Sequence, residues 1–441
     1  MNEELNDIDI SCYGKNMFEL IKTLFPICRS ITGNGVRKTL KIIKELIPVE
    51  IKEIASGTKV FDWTIPKEWN ITDAYIKNSE GEKIIDFKKS NLHVLNYSVP
   101  VHKKLNLREL KDHLYTLPDH PDWIPYLTSY YKENWGFCLS DNQLKELKEE
   151  TYEVLIDSTL KDGSLTYGEV LLKGECEEQI IISCYICHPS LCNDNLSGPV
   201  LVVFLVKYLM MMNNIRKLKY TYRFLFIPET IGSITWLFLN EKDTPKIKYG
   251  LVATCLGDPG KFTYKKSRIG NALIDKIAEK VLIDSGIPFE IVDFFPSGSD
   301  ERQFCSPGFN LPIGSLMRTP YGRFAEYHTS ADNLDFVRSE YLADSIMKYI
   351  SIIFIIENNT SYLNLNPKCE PQLGKRGLYG SIGSQKKEKN EELAMLWILN
   401  LSDGNNSLLD ISFRSKISFK QIKNVADILV ENNLLIEIKN D

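Results

Sequence analysis

The run Ile180-Ile181-Ile182-Ser183-Cys184-Tyr185-Ile186-Cys187 constrains this chain more than any other. A short apolar stretch rich in β-branched residues reads as a buried strand. It stops at His188-Pro189, because proline has no N–H to donate and forces its neighbour extended. A polar loop, Ser190 to Ser197, leads into the apolar stretch 198–212, which reads as a buried helix. A histidine at the carboxyl end of a strand, with Asp194 ahead of the next helix, lies where open α/β sheets place ligands.

The rest of the chain bounds what that pair can belong to. At 441 residues there is room for two or three domains. Hydrophobic content of 43% with a net charge of −5 matches an ordinary globular chain and gives no sign of a polyanion binder. The acidic start lacks the basic and apolar regions of a signal peptide. The run Ser351 to Ile356 meets Glu357 too soon for a membrane span. A cytoplasmic location with reduced thiols is therefore expected. Cys184-Tyr185-Ile186-Cys187-His188 matches the attachment pattern of c-type haem, but that chemistry needs export and an accessible loop. A thiolate zinc site at Cys184, Cys187 and Cys192 lacks a second cysteine pair. These cysteines are read as buried thiols.

Along the chain, two helices within 17–46 and a short strand at 48–54 precede a change of texture. Residues 57–165 alternate strand-like pieces with turns and carry His93, His102, His113 and His120 without metal-ligand spacing. This reads as a β-rich insertion whose aromatic group, Trp123 to Phe137, is its core in preference to a substrate wall, with a lid over the pocket as the alternative. Strands and helices alternate from Gly168 to a helix at 339–357, which implies a mostly parallel sheet covered by helices. The first domain is thus split, 1–56 with 166–365, around the insertion. A linker at 358–385 leads to residues 380–441, whose last helices and final Leu434–Ile438 suggest a winged helix-turn-helix. From Lys386 onward eight Lys/Arg face nine Asp/Glu, so docking or dimerisation is preferred to DNA binding.

Three strand ends carry chemistry: His188 with Asp194, Glu229 after Phe224–Pro228, and His328 in Glu326-Tyr327-His328-Thr329. Two imidazoles, a carboxylate and a nearby glutamate fit a catalytic zinc with an open position for water. The plainer alternatives are a hydrogen-bonded histidine, a helix cap at Asp194 and a helix-dipole partner at Glu229.

Four stretches together resemble the zinc aminopeptidases related to bacterial leucyl aminopeptidase. They are His188…Asp194-Asn195-Leu196-Ser197-Gly198, Glu229-Thr230-Ile231-Gly232-Ser233, Ser299-Asp300-Glu301-Arg302-Gln303-Phe304 and Tyr327-His328-Thr329. The layout of split peptidase domain, insertion and winged helix resembles a bacterial subfamily of aminopeptidase-like proteins. The resemblance implies that His188, Asp194 and His328 are zinc ligands and Glu229 the general base, with Asp300, Asn195 and Asp258 standing behind them. Tyr327 is the candidate donor to an oxyanion. Departures accompany it: Thr230 stands where the family has a ligand glutamate, Thr254 or Cys255 where it has an aspartate, and Ser190 where it has the aspartate of its HxD motif. One zinc is therefore expected rather than two, and Glu229 is either base or substitute ligand. The expected activity is hydrolysis of a peptide or related small amide, with no nucleic acid or membrane partner and with room for a homo-oligomer. The rival readings are an inactive peptidase-fold binding protein and a DNA-binding regulator.

Overall fold

The computed structural model of the protein describes residues 10–378 and 386–438. The acidic start of the chain and the end of the expected linker lie outside them. Two compact units result: residues up to 275 together with 288–347, and residues 276–287 together with those from 348 onward.

The first unit is built on an eight-stranded sheet. Its strands are β1 (Glu50–Ala55), β2 (Ser164–Leu172), β3 (Gln179–Tyr185), β4 (Thr221–Ile227), β5 (Ile247–Ala253), β6 (Phe262–Lys265), β7 (Phe289–Val292) and β8 (Ile313–Met317), in the order β1-β2-β4-β3-β5-β8-β6-β7. Strand β3 is central, with parallel neighbours β4 and β5, and every one of its residues is buried. That accounts for its continuous apolar run, since a strand covered on both faces has no polar side to show. Pairing is also parallel between β5 and β8 and between β6 and β7, and antiparallel where β1, β2 and β6 join.

Behind β3 runs the helix Ser197–Ile215, whose Val200, Leu201, Val202 and Val203 have no solvent exposure. Contrary to the expectation that no apolar run reaches the length of a membrane span, the segment Cys192–Ile215 is long and apolar enough for one; 78% of its most apolar window is buried inside the protein. Its composition reflects a core helix.

Residues 57–165 hold a four-stranded antiparallel sheet ordered Lys83–Asp86, Glu68–Lys77, Thr151–Lys161, Val101–Asn106. Ala74, Ile76, Val154, Ile156, Trp135 and Phe137 form its core. Arg37, on the helix Asn34–Lys44, clamps the base of this insertion. It grips both carboxylate oxygens of Glu68 and donates to Ser164 Oγ at 2.8 Å, so the ingoing and outgoing strands share one guanidinium.

The second unit contains helices Lys386–Leu401, Leu408–Ser415 and Phe419–Glu431. Its three-stranded sheet pairs Ser361–Asn364 with Asp403–Ser407 and with Leu435–Glu437. The expected linker therefore begins as a strand, one too short to stand out by periodicity. Lys280 is buried in this unit, donating to the carbonyls of Ser412 and Ile417.

Candidate metal centre

Three sequence-predicted ligands converge at the carboxyl end of β3. Nitrogen and oxygen atoms of His188, Asp194 and His328 lie within 4.8 Å of one another. His328 Nε2 is 2.9 Å and His188 Nε2 3.8 Å from Asp194 Oδ2. Ligand atoms around a tetrahedral zinc, with bonds of about 2.0–2.2 Å, stand roughly 3.3 Å apart, so the spacing fits. Asp194 Oδ2 and His328 Nε2 are both buried and neither has a hydrogen-bond partner among the described residues. Buried polar atoms left bare cost free energy unless something binds them. The donor set, two imidazoles and a carboxylate, suits zinc.

Each ligand is held from behind. The carbonyls of His188 and Pro189 accept from the buried Arg29 guanidinium at 2.6 and 2.7 Å. His188 Nδ1 faces the Cys187 sulfur at 3.5 Å, and the Glu229 N–H donates to the same sulfur at 3.3 Å. Burial lowers the His188 pKa to about 4, so its imidazole is neutral and offers a lone pair. Burial pushes Asp194 upward, but His188, His328 and the Tyr185 hydroxyl outweigh it and bring the carboxyl down to about 2. Tyr185 OH donates to Asp194 Oδ1 and sits 2.7 Å from Thr254 Oγ1. One carboxylate oxygen is thereby committed to a tyrosine while the other faces the imidazoles.

The turn carrying Asp194 hangs on a residue whose role sequence reasoning missed. The Asp332 carboxylate accepts the N–H groups of Asn193 and Asp194 at 2.6 and 2.8 Å, and its carbonyl accepts from Cys192. Asp332 closes the same polar stretch as His328, but nothing local marks it as a partner for a loop so far away in sequence. Asn195 donates to the carbonyls of Tyr185 and Ala253 and accepts from Gly198 N–H. A Cβ on Gly198 would meet the Ala253 carbonyl oxygen at 2.3 Å, which explains a glycine there. Asp258 accepts from Asn193 Nδ2, Gly260 and Thr319, supporting the loop without joining the ligand cluster.

Glu229 follows β4, with Oε2 4.0 Å from His188 Nε2. Burial, followed by the charges of Asp300 and Asp194, raises it well above the usual carboxylate range. Next to it, Thr230 has a positive φ of 64° and donates its N–H to Asp300 Oδ1 at 2.7 Å. Asp300 thus braces the turn that bears Glu229, aided by Ser233. Ser190 donates its hydroxyl to the Phe25 carbonyl and accepts from Asn91 Nδ2. Tyr327 stacks on His328 with ring centroids 3.9 Å apart; burial, with Asp194 and Glu229 nearby, raises its pKa and keeps the hydroxyl protonated.

The insertion takes part in the site, so the preference for Trp123 to Phe137 as core over substrate wall holds for only part of the group. Trp135 and Phe137 do pack there, but Tyr126, Tyr130 and Tyr131 line a cavity of about 310 Å³ beside His188, Glu229 and His328. Tyr126 packs against both imidazoles and donates its N–H to the His328 carbonyl at 2.7 Å. His93 and His113 bond to main-chain carbonyls and His120 stacks on Trp123, so these three have packing roles. Cys184, Cys187 and Cys192 are buried and none of the ten cysteines forms a disulfide.

A central sheet of this kind, with the candidate cluster at its carboxyl end, makes an α/β protein whose fold is like that of the aminopeptidases. Residues 18–359 match the family described as a domain of unknown function, DUF4910, and residues 360–437 match a winged helix-turn-helix family; the chain belongs to DUF4910. A Clostridium acetobutylicum protein, provisionally named for polysaccharide biosynthesis with an aminopeptidase-like domain, is 61% identical over 422 residues, covering 96% of each chain. A crystal structure of a provisionally named peptidase from Clostridium acetobutylicum superposes with a TM-score of 0.94 at 58% identity, covering 99% of this chain and 100% of that one. The zinc aminopeptidase BSAP from Bacillus subtilis gives 0.55 at 11% identity over 78% of this chain and 94% of its own, a likeness of fold.

Proposed function

We propose that the protein is a zinc-dependent aminopeptidase-like hydrolase that cleaves a peptide or related amide bond at a single metal. The observation that carries this reading is the pair of bare buried atoms, Asp194 Oδ2 and His328 Nε2, facing the neutral His188 imidazole with Glu229 just beyond. A zinc bound there supplies a Lewis acid and a water of lowered pKa. Support for one ion comes from Tyr185, which occupies Asp194 Oδ1, and from threonines at 230 and 254 where a second ion would need carboxylates.

The remaining work falls to the chain. Glu229, whose proton affinity is raised by its surroundings, takes a proton from the attacking water and returns it to the leaving amine. Tyr327, held protonated, donates to the oxyanion of the tetrahedral carbon. Arg29, Asp332 and Tyr126 keep the ligand loops in register.

The ten cysteines without disulfides favour a reducing compartment, hence the cytoplasm. In the winged helix Lys423 is paired with Asp427, which favours docking over DNA binding. Replacing Glu229 by Gln is expected to lower kcat by about 10²–10⁴ with zinc content unchanged. If zinc content by elemental analysis drops with the activity, Glu229 is a ligand and not the base.

A further inference from the structure

The cavity next to the candidate metal centre says what kind of molecule it takes. The insertion supplies one side of it, through Trp63, Tyr126, Thr128, Tyr130 and Tyr131. Among the residues that line it there is no lysine or arginine, so apart from the proposed metal nothing there pairs with a carboxylate or phosphate. Glu229 is its one carboxylate, 4.0 Å from His188 Nε2 and engaged by the chemistry proposed above. A free ammonium would therefore lack the second acidic partner that its desolvation calls for. What the walls do offer is aromatic surface and hydroxyls. Trp63 and Tyr131 meet edge to face at 5.3 Å and remain 38% and 53% exposed, unusual for rings of that size. Tyr126 OH and Tyr130 OH lie 3.1 Å apart further in. A volume of about 310 Å³ is at the low end for small-molecule sites and suits one ring with a substituent better than an extended peptide.

We infer that this cavity binds a neutral N-acylated amino-sugar ring, its C–H face laid on Trp63 and Tyr131 and its acyl group directed toward His188, Glu229 and His328. The inference rests on the amide-hydrolase reading above and gives it a substrate class. The oxygen of water bonds to the acyl carbon and the C–N bond breaks. One proton of the water passes through Glu229 to the nitrogen, leaving a carboxylic acid and an amino sugar.

Binding to the full-length metal-free protein, which keeps Glu229, and to zinc-loaded Glu229→Gln, followed by calorimetry, tests recognition apart from turnover. The probes are methyl N-acetylglucosaminide, its free-amine counterpart methyl glucosaminide, and leucinamide. The N-acetyl sugar is expected to bind at least tenfold tighter than either amine. Adding Trp63→Ala or, as a milder change, Tyr131→Leu should weaken it about tenfold, with circular dichroism unchanged. Equal or tighter binding of the amines overturns the inference and marks the aromatic wall as a cation site. No binding of the N-acetyl sugar, or binding indifferent to both substitutions, also overturns it. Acetate release by the unmodified protein reads the other premise. Binding without release leaves the recognition standing and removes the hydrolase reading. Hydrolysis of leucine p-nitroanilide without sugar binding does the reverse.

Discussion

Two carboxylates close together in space do opposite things in this site. Asp194 presents one oxygen to the imidazoles, and Tyr185 holds the other. Asp332 never faces the cluster, yet it accepts the two N–H groups that aim Asp194. An unsatisfied buried N–H costs about 1–3 kcal/mol, and disturbed supports of metal ligands typically lose 10–100-fold in affinity. Asp332→Ala should therefore unfold at lower urea and bind zinc about tenfold or more weakly; a zinc titration matching the parent protein would show that the turn supports itself. His188 and Asp194 were legible in the sequence because a strand, a proline and a helix start lie within a few residues. Asp332, Arg29 and Tyr126 were not, because their partners are reached only through the fold.

At the level of elements, the insertion is fastened at its stem and used at its tip. Arg37 grips Glu68 and Ser164, and hydrogen bonding from Arg37 outweighs burial to bring Glu68 down to about 2. Because the folded-state pKa is depressed, the stabilisation is present above about pH 4.5 and disappears as pH falls toward about 2. The pair sits partly buried, so its loss is worth on the order of 1–3 kcal/mol. Glu68→Gln should be less stable at neutral pH by that amount and show a flatter loss of stability between those pH values in acid titrations followed by fluorescence. At the other end, Ile124 and Ser330 exchange hydrogen bonds, so residues 124–126 run against the loop that bears His328. The β-rich texture and the winged helix could be read from alternation and turn residues. That the insertion's tyrosines line a wall of the site could not, since an aromatic cluster has the same pattern whether it fills a core or faces a cavity.

For the molecule as a whole, the site sits at loop ends while stability comes from apolar layers such as the core of Tyr167, Ile181, Leu225 and Trp236. Removing metal with a chelator should abolish hydrolysis yet leave the far-ultraviolet dichroism intact. Stability should fall by the binding contribution alone, about 4 kcal/mol when free zinc is a thousandfold above Kd, and the melting temperature with it. A cooperative loss of secondary structure on chelation would instead assign zinc a structural role.

The sequence by itself determined the α/β alternation, the buried central strand, the strand ends that carry His188 and Glu229 and the polar loop that carries His328. These are local properties, since burial imposes periodicity and proline and glycine punctuate it. The tertiary structure decided which oxygen of Asp194 stays bare, which distant carboxylate aims it and which of the insertion's rings reach the cavity. Such pairings join residues far apart in the chain, and only packing brings them within bonding distance.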